Sequence, residues 1–224
     1  MGSLRGDAVR VCIHQPNFLP WLGFFAKVAQ SDLVIFLDDV PYSKGSFTNR
    51  VKILGPKGPE WLTVPVRHDF GQIIRNVLVN GTEWERNAYA QVHRAYRGSP
   101  GWNAALVARL LHSPNQMLLN LNIRGIEVLP SGSSHLMLAR HSSDLRSEPT
   151  PGVPGLIELA KAAGATTYVA GLGAAKYDDP AAWEAAGIRY ERMKFVPPDG
   201  EGFSALHYLM RGLSVSDVVR KCIR

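Results

Sequence analysis

The chain has little cysteine: two in 224 residues, Cys12 and Cys222, near opposite ends. Neither has a partner at metal-ligand spacing, which excludes a zinc module and a disulfide scaffold. Two free, largely structural thiols are expected. No apolar run approaches the roughly 20 residues that span a bilayer. The opening MGSLRGDAVR lacks the apolar region of a signal peptide, so a cytoplasmic location is expected. No five like charges occur in a row, so the clustered basic face of a nucleic-acid binder is missing. There is no HExxH, CxxC, GxSxG or Walker A sequence, no GxGxxG fingerprint and no internal repeat of fixed period. No metal or cofactor site is read from the chain.

What remains is an ordinary globular composition, 46% hydrophobic and 20% charged, with a net charge of +6. The length is that of one large domain, and the excess of positive charge suits an anionic ligand or an acidic carrier protein.

Hydrophobic patterning alternates strands and helices at both ends. Val9–Ile13 and Leu33–Leu37 read as buried strands, with a helix over Trp21–Gln30 between them. A parallel βαβ unit follows. RVKIL and EWLTVPV flank GPKGP as a β-hairpin, and Ile73–Val79 reads as a further strand. Residues 82–129 read as a helical insert or subdomain. It opens on a Thr82/Glu85 capping box and contains helices over Asn103–His112 and Asn115–Leu129, with Gly125 weakening the last. A strand is expected over His135–Ala139 and a mobile loop over Ser142–Gly155. Helix Leu156–Gly164, strand Thr166–Ala170, helix Pro180–Ala186, strand Ile188–Phe195 and two closing helices complete the pattern. The expected fold is a single α/β domain, 1–224, with a Rossmann-like, mostly parallel sheet, a β-hairpin excursion and the helical insert.

Polar residues gather where the first two strands end, and open α/β sheets bind ligands at the carboxyl ends of their strands. His14, Gln15 and Asn17 follow the first strand; Asp38, Asp39, Ser43, Lys44, Asn49 and Arg50 follow the second. A histidine there suits general acid/base work, and a nearby carboxylate would orient it and raise its basicity. Asp38 and Asp39 point to opposite strand faces and do not form a close dyad. GLGAAKYDD, residues 171–179, leaves a later strand; Gly171 and Gly173 let a ligand approach, and Lys176 and Tyr177 offer polar contacts. Cys12 shares a strand face with His14, so a thiol nucleophile is conceivable beside the default of core packing. Trp21, Trp61 and Trp84 read as packing residues, and His93, His112 and His207 as structural.

The segments IHQPNFLPWLGFFAKVAQSDLVIFLDDVPYSKGSFTNR, EWLTVPV, ATTYVAGLGAAKYDD with AAGIRY, and LSVSDVV run in order across nearly the whole chain. Through them the sequence resembles the WbqC-like proteins. That family is associated with bacterial O-antigen and natural-product gene clusters, often beside sugar aminotransferases. The resemblance implies decoration of an amine, by amide formation from a carrier-bound acyl or aminoacyl thioester. It marks His14, Gln15, Asn17, Asp38, Asp39, Ser43, Asn49 and Arg50 as motif positions; Asp178 stands where the family usually has Leu after the tyrosine. The opening strand–loop–helix–strand order also resembles HUP-type nucleotidyltransferases, but WLGF replaces their histidine motif. The expected activity is a small-molecule transferase. His14 is its base, oriented by Asp38 or Asp39. Gln15, Asn17 and Asn49 sit at the acyl carbonyl, and Arg50, Lys44 and Lys176 hold an anionic part. Its partners are an amine or amino-sugar and an acyl or peptidyl carrier protein, with no nucleic acid and no membrane. A nucleotidyltransferase-like enzyme, an amide or thioester hydrolase and a non-catalytic carrier-protein adaptor are the alternatives.

Overall fold

A computed structural model describes residues 8–81, 83–130, 138–176, 178–200 and 202–223, with the side chains of 175 and 176 left out. Its centre is a five-stranded sheet: β1 (Arg10–His14), β2 (Leu33–Phe36), β7 (Leu138–His141), β8 (Thr167–Ala170) and β9 (Arg189–Arg192). All four pairings are parallel, in the order β7-β2-β1-β8-β9. Renumbered within the sheet this is 3-2-1-4-5, the doubly wound order, so the fold is Rossmann-like. Helix α1 (Leu22–Ala29) links β1 to β2, α5 (Gly152–Ala162) links β7 to β8, and α6 (Pro180–Ala185) links β8 to β9.

The two faces follow from strand periodicity. Cys12, Val34, Phe36 and Val169 share a core with Phe24 and Phe25 of α1 and with α7 (Ala205–Met210) and α8 (Val215–Cys222). The intervening residues, Val11, Ile13, Ile35, Tyr168 and Ala170, pack with Leu159 of α5 and Trp183 of α6, and the Tyr168 and Trp183 rings stack at 3.9 Å.

The excursion between β2 and β7 carries the hairpin β3 (Arg50–Gly55) and β4 (Gly58–Thr63), the short ribbon β5 (Val66–Arg67) and β6 (Leu78–Val79), and helices α2 (Glu83–Tyr96), α3 (Ala104–Leu111) and α4 (Leu118–Val128). Its apolar faces join the α1 side of the core, through Trp84, Val92 and Leu121 among others. Gly125 does not break α4. A side chain there would press on Leu19, 3.2 Å from its Cδ2, so the glycine lets helix and loop meet. Leu19 itself has a positive φ of 38°, rare for a branched residue.

Four expectations are corrected. Ile73–Val79 is mostly not a strand, because its backbone is taken by the preceding loop. Ile74 N–H donates to Val40, Arg75 N–H to Asp38, and only Leu78–Val79 pairs. Ser142–Gly155 is not a free loop: Ser142, Ser143 and Arg146 are bonded to the aspartates after β2, and α5 begins at Gly152. Trp61 is 40% exposed, lying under the Arg50 guanidinium at 4.3 Å rather than in the core. Glu85 binds the Ser113 N–H at 2.8 Å, bridging α2 to the end of α3; Thr82, like the first part of the His135–Ala139 strand, lies outside the described residues. No helix among the described residues is long and apolar enough to cross a membrane.

One buried side chain ties the insert to the sheet. Asn122 on α4, fully buried, donates its amide to the carbonyls of Pro16 and Thr48, both at 2.8 Å. Replacing it with alanine strands two carbonyls away from water, and such groups cost about 1–3 kcal/mol each. Asn122→Ala is expected to lower the denaturant midpoint by the equivalent of a few kcal/mol, while Asn120→Ala, on the exposed face of the same helix, is expected to leave it unchanged.

Candidate active site

The sheet opens where its strand order reverses. β1 pairs with β2 from Val11 to His14, but with β8 only at Arg10 and Val11. Past that point a lysine from α1 fills the gap. Lys27 is 5% exposed, and its Nζ donates to the Ile13 carbonyl at 2.8 Å and lies 5.6 Å from the Tyr168 ring centre. Burial pushes its pKa down, while Cys12 and Asp178 pull it up. A side chain at Gly171 would come within 3.9 Å of the same Nζ, so Gly171 sits against the lysine from the β8 side. Gly173 has open space around it.

His14 stands at the end of β1, partly buried, edge-on to Phe24 with ring centres 5.2 Å apart. Its Nδ1 lies 2.8 Å from the Gln15 carbonyl. A carbonyl only accepts, so Nδ1 carries the proton and a neutral ring leaves Nε2 bare. Burial, then the Lys27 charge, pushes the His14 pKa down to about 4. The imidazole is therefore neutral at pH 7, with a lone pair on Nε2.

The aspartates do something other than orient His14. The groups bearing on His14 are Gln15, Phe24 and Lys27, and neither carboxylate is among them. Asp39, buried, takes Arg146 on both oxygens, Nε at 2.6 Å and Nη2 at 3.0 Å, and accepts from Ser142 Oγ at 2.6 Å. Asp38, also buried, accepts from Ser142 Oγ, Ser143 Oγ and Ser143 N–H. Its Oδ2 lies 3.2 Å from His141 Nδ1, in ion-pair range but off the line of a hydrogen bond. Burial raises the Asp38 pKa, but His141 and the serine donors outweigh it and take it down to about 2. The pair clasps the end of β2 to the segment after β7.

The two loops after β1 and β2 meet rather than frame a cleft. Phe18 N–H donates to the Phe47 carbonyl at 3.0 Å, and Thr48 Oγ1 to Gln15 Oε1 at 3.3 Å. The second contact spends the Gln15 oxygen, so its amide N–H groups are the ones left over. Asn17 and Asn49 are buried in the wall, Asn49 donating to the Val64 carbonyl. Ser43 and Lys44 are exposed, and Arg50 is spread over Trp61. The Lys176 side chain and Tyr177 lie outside what is described. Cys12 is fully buried, and burial raises its thiol pKa, which favours core packing over nucleophilic attack.

The model of the WbqC-like protein family matches residues 15–222. The chain belongs to that family. It is also 30% identical over 188 residues to the uncharacterized protein Rv1507c of Mycobacterium tuberculosis, with 80% of each chain covered. No solved structure matches it. In this family member the sequence alone points to His14, Gln15 and Gly171 as lining the switch point. Lys27 it leaves unmarked, and Asp178 it marks only as a departure from the family pattern. Lys27 stands on an apolar helix face, FFAKVA, where a lone cation is itself a signal. The Trp183 indole N–H donates to Asp178 Oδ1 at 2.7 Å, and Asp178 Oδ2 is buried with no hydrogen-bond partner among the described residues.

Two outcomes are expected. A histidine whose folded pKa lies near 4 disfavours protonation, so its contribution is present above pH 6.5 and fades as pH falls toward 4. NMR titration of the His14 ring should give that low value. In Lys27→Met it should rise yet stay under 6.5, because burial remains. Separately, Asp39→Ala leaves the nearly buried Arg146 unpaired, and chemical denaturation should show a loss of about 3–5 kcal/mol.

Proposed function

We propose that this protein is a small-molecule transferase that forms an amide at the crevice between β1 and β8, from a carrier-bound acyl or aminoacyl thioester and an amine. The observation that carries this is His14, neutral at pH 7, its Nδ1 proton committed to Gln15 and its Nε2 bare, beside a buried lysine at the switch point. Such a ring accepts a proton from an attacking amine. The amine nitrogen bonds to the thioester carbonyl carbon while its proton passes to Nε2. The carbonyl electrons collect on oxygen, where the Lys27 ammonium and the Gln15 amide N–H groups stabilise them. When the carbonyl re-forms, the carbon–sulfur bond breaks and the imidazolium proton goes to the departing thiolate. Lys44, Arg50 and Lys176 supply positive charge for the phosphate of a carrier arm.

The association of WbqC-like proteins with O-antigen and natural-product clusters supports an amino-sugar or related amine as acceptor, and an acyl or peptidyl carrier protein as donor. The doubly wound sheet order also suits a nucleotide, which keeps a nucleotidyltransferase as the second reading. The two separate cleanly, since amide formation here needs neither triphosphate nor magnesium.

Purified protein should be offered acyl-carrier thioesters with amino-sugars, and products read by mass spectrometry. His14→Ala is expected to lower turnover by about 100-fold or more, and Cys12→Ala to retain it. Undiminished turnover in His14→Ala would remove the histidine from the chemistry, and loss in Cys12→Ala alone would indicate an acyl-enzyme on sulfur.

A further inference from the structure

A cavity of about 550 Å³ lies on the other side of the aspartate clasp, between α3, α4 and the edge strand β7. That volume is within the usual range for a small-molecule site. Its polar lining is Arg109 from α3, Asn120, Arg124 and Glu127 from α4, and His141 at the end of β7. Arg109 is exposed and makes no hydrogen bond or ion pair among the described residues. Arg124 is partly buried and spends one Nη1 hydrogen on the His112 carbonyl, and its other donors have no hydrogen-bond partner among the described residues. His141 turns Nδ1 toward the buried Asp38 carboxylate, so the ring's opposite edge, carrying Nε2, is the one it has to offer. Asp38 is itself fixed by Ser142 and Ser143. This is the arrangement of a histidine donor backed by a carboxylate, facing two guanidinium groups.

We infer that this cavity is a second binding site, for a small molecule carrying an oxyanion, a phosphate or a carboxylate. Arg109 and Arg124 are its charged anchors and His141, backed by Asp38, is its third donor. Planar guanidinium forks match phosphate and carboxylate oxygens, and a charged imidazole adds a directional bond. The Asp38 carboxylate, 3.2 Å away, and with it the Asp144 charge, raise the His141 pKa against partial burial, which favours the protonated ring with a donor on both nitrogens. Glu127 supplies an acceptor in the same space, which fits a ligand that also bears a hydroxyl or amine. The site is distinct from the crevice at His14. β7 and β1 are separated by β2, two interstrand steps or roughly 10 Å. It does not depend on the transfer reaction proposed above.

The test is binding, not turnover. Inorganic pyrophosphate and malonate are titrated into the full chain at fixed ionic strength. Calorimetry gives the affinity, and the His141 ring resonances report the place. Saturable binding that moves His141 is expected. Arg109→Ala, on an exposed position, should weaken it at least tenfold, as should His141→Asn. His14→Ala should bind as the wild type does. Preference for pyrophosphate identifies a phosphate-bearing ligand, and preference for malonate a carboxylate-bearing one. The inference is overturned if neither anion binds saturably, if Arg109→Ala and His141→Asn bind normally, or if His14→Ala abolishes binding, which would move the anion to the crevice.

Discussion

Two hydrogen bonds from one amide, Asn122 to the carbonyls of Pro16 and Thr48, decide how the strand ends of this protein are arranged. A loop after a parallel strand has no ladder partner for its carbonyls. Left to itself it would turn them to water and open outward. Here a helix from the insert reaches over the sheet end and takes both. The loop after β1 is thereby pressed onto the loop after β2, Phe18 can pair with Phe47, and Gln15 is met by Thr48. Gly125, one turn further along the same helix, lets Leu19 approach closely enough for this to happen. The insert is thus a structural wall of the strand-end region and not an appendage.

Closing one side of the sheet end leaves His14 and Lys27 on the other. The β1–β2 side is filled by loop contacts and by the aspartate clasp, while the β1–β8 side is held apart by a buried cation. An ammonium bonded to the Ile13 carbonyl does for that carbonyl what a neighbouring strand does elsewhere, but it brings a charge into a poorly solvated place. That charge is what distinguishes the two sides chemically. Together with burial, it keeps His14 neutral.

The sheet was largely legible from sequence because the signal that makes buried strands, short apolar runs between turn residues, is local. Val9–Ile13, Leu33–Leu37 and Thr166–Ala170 need only their own residues to be recognised. The candidate site is legible in its local part for the same reason: His14 ends one strand with Gln15 after it, and Gly171 follows another. What stayed hidden depends on pairings across the chain. Asp38 and Asp39 read as the carboxylates that orient His14, because Ser142, Ser143 and Arg146 are about a hundred positions away. Ser142–Gly155 reads as mobile for the mirror reason, since its proline and glycine content says nothing about the carboxylates that pin it. Ile73–Val79 has the composition of a strand, but its N–H groups are claimed by the loop after β2. The sequence does not single out Lys27, because a helix pattern records where a residue faces and not how far its side chain reaches. A four-carbon stem lying along α1 carries the ammonium back toward the strand ends.

The low pKa of His14 raises a question of chemical competence, since a base near 4 is weak for deprotonating an amine. The charges at the switch point supply the answer. Burial is the larger cause of the depression, and the Lys27 cation close by adds to it; that second part is offset by an anion placed in the same space. A ligand that brings negative charge into the crevice, or an oxyanion that forms there during attack on a carbonyl, lowers the effective positive field at His14. Its Nε2 then becomes more basic at the moment a proton has to be taken. Burial of Lys27, which looks costly as a contribution to folding, has a role on this reasoning as the element that couples occupation of the crevice to the basicity of the residue beside it.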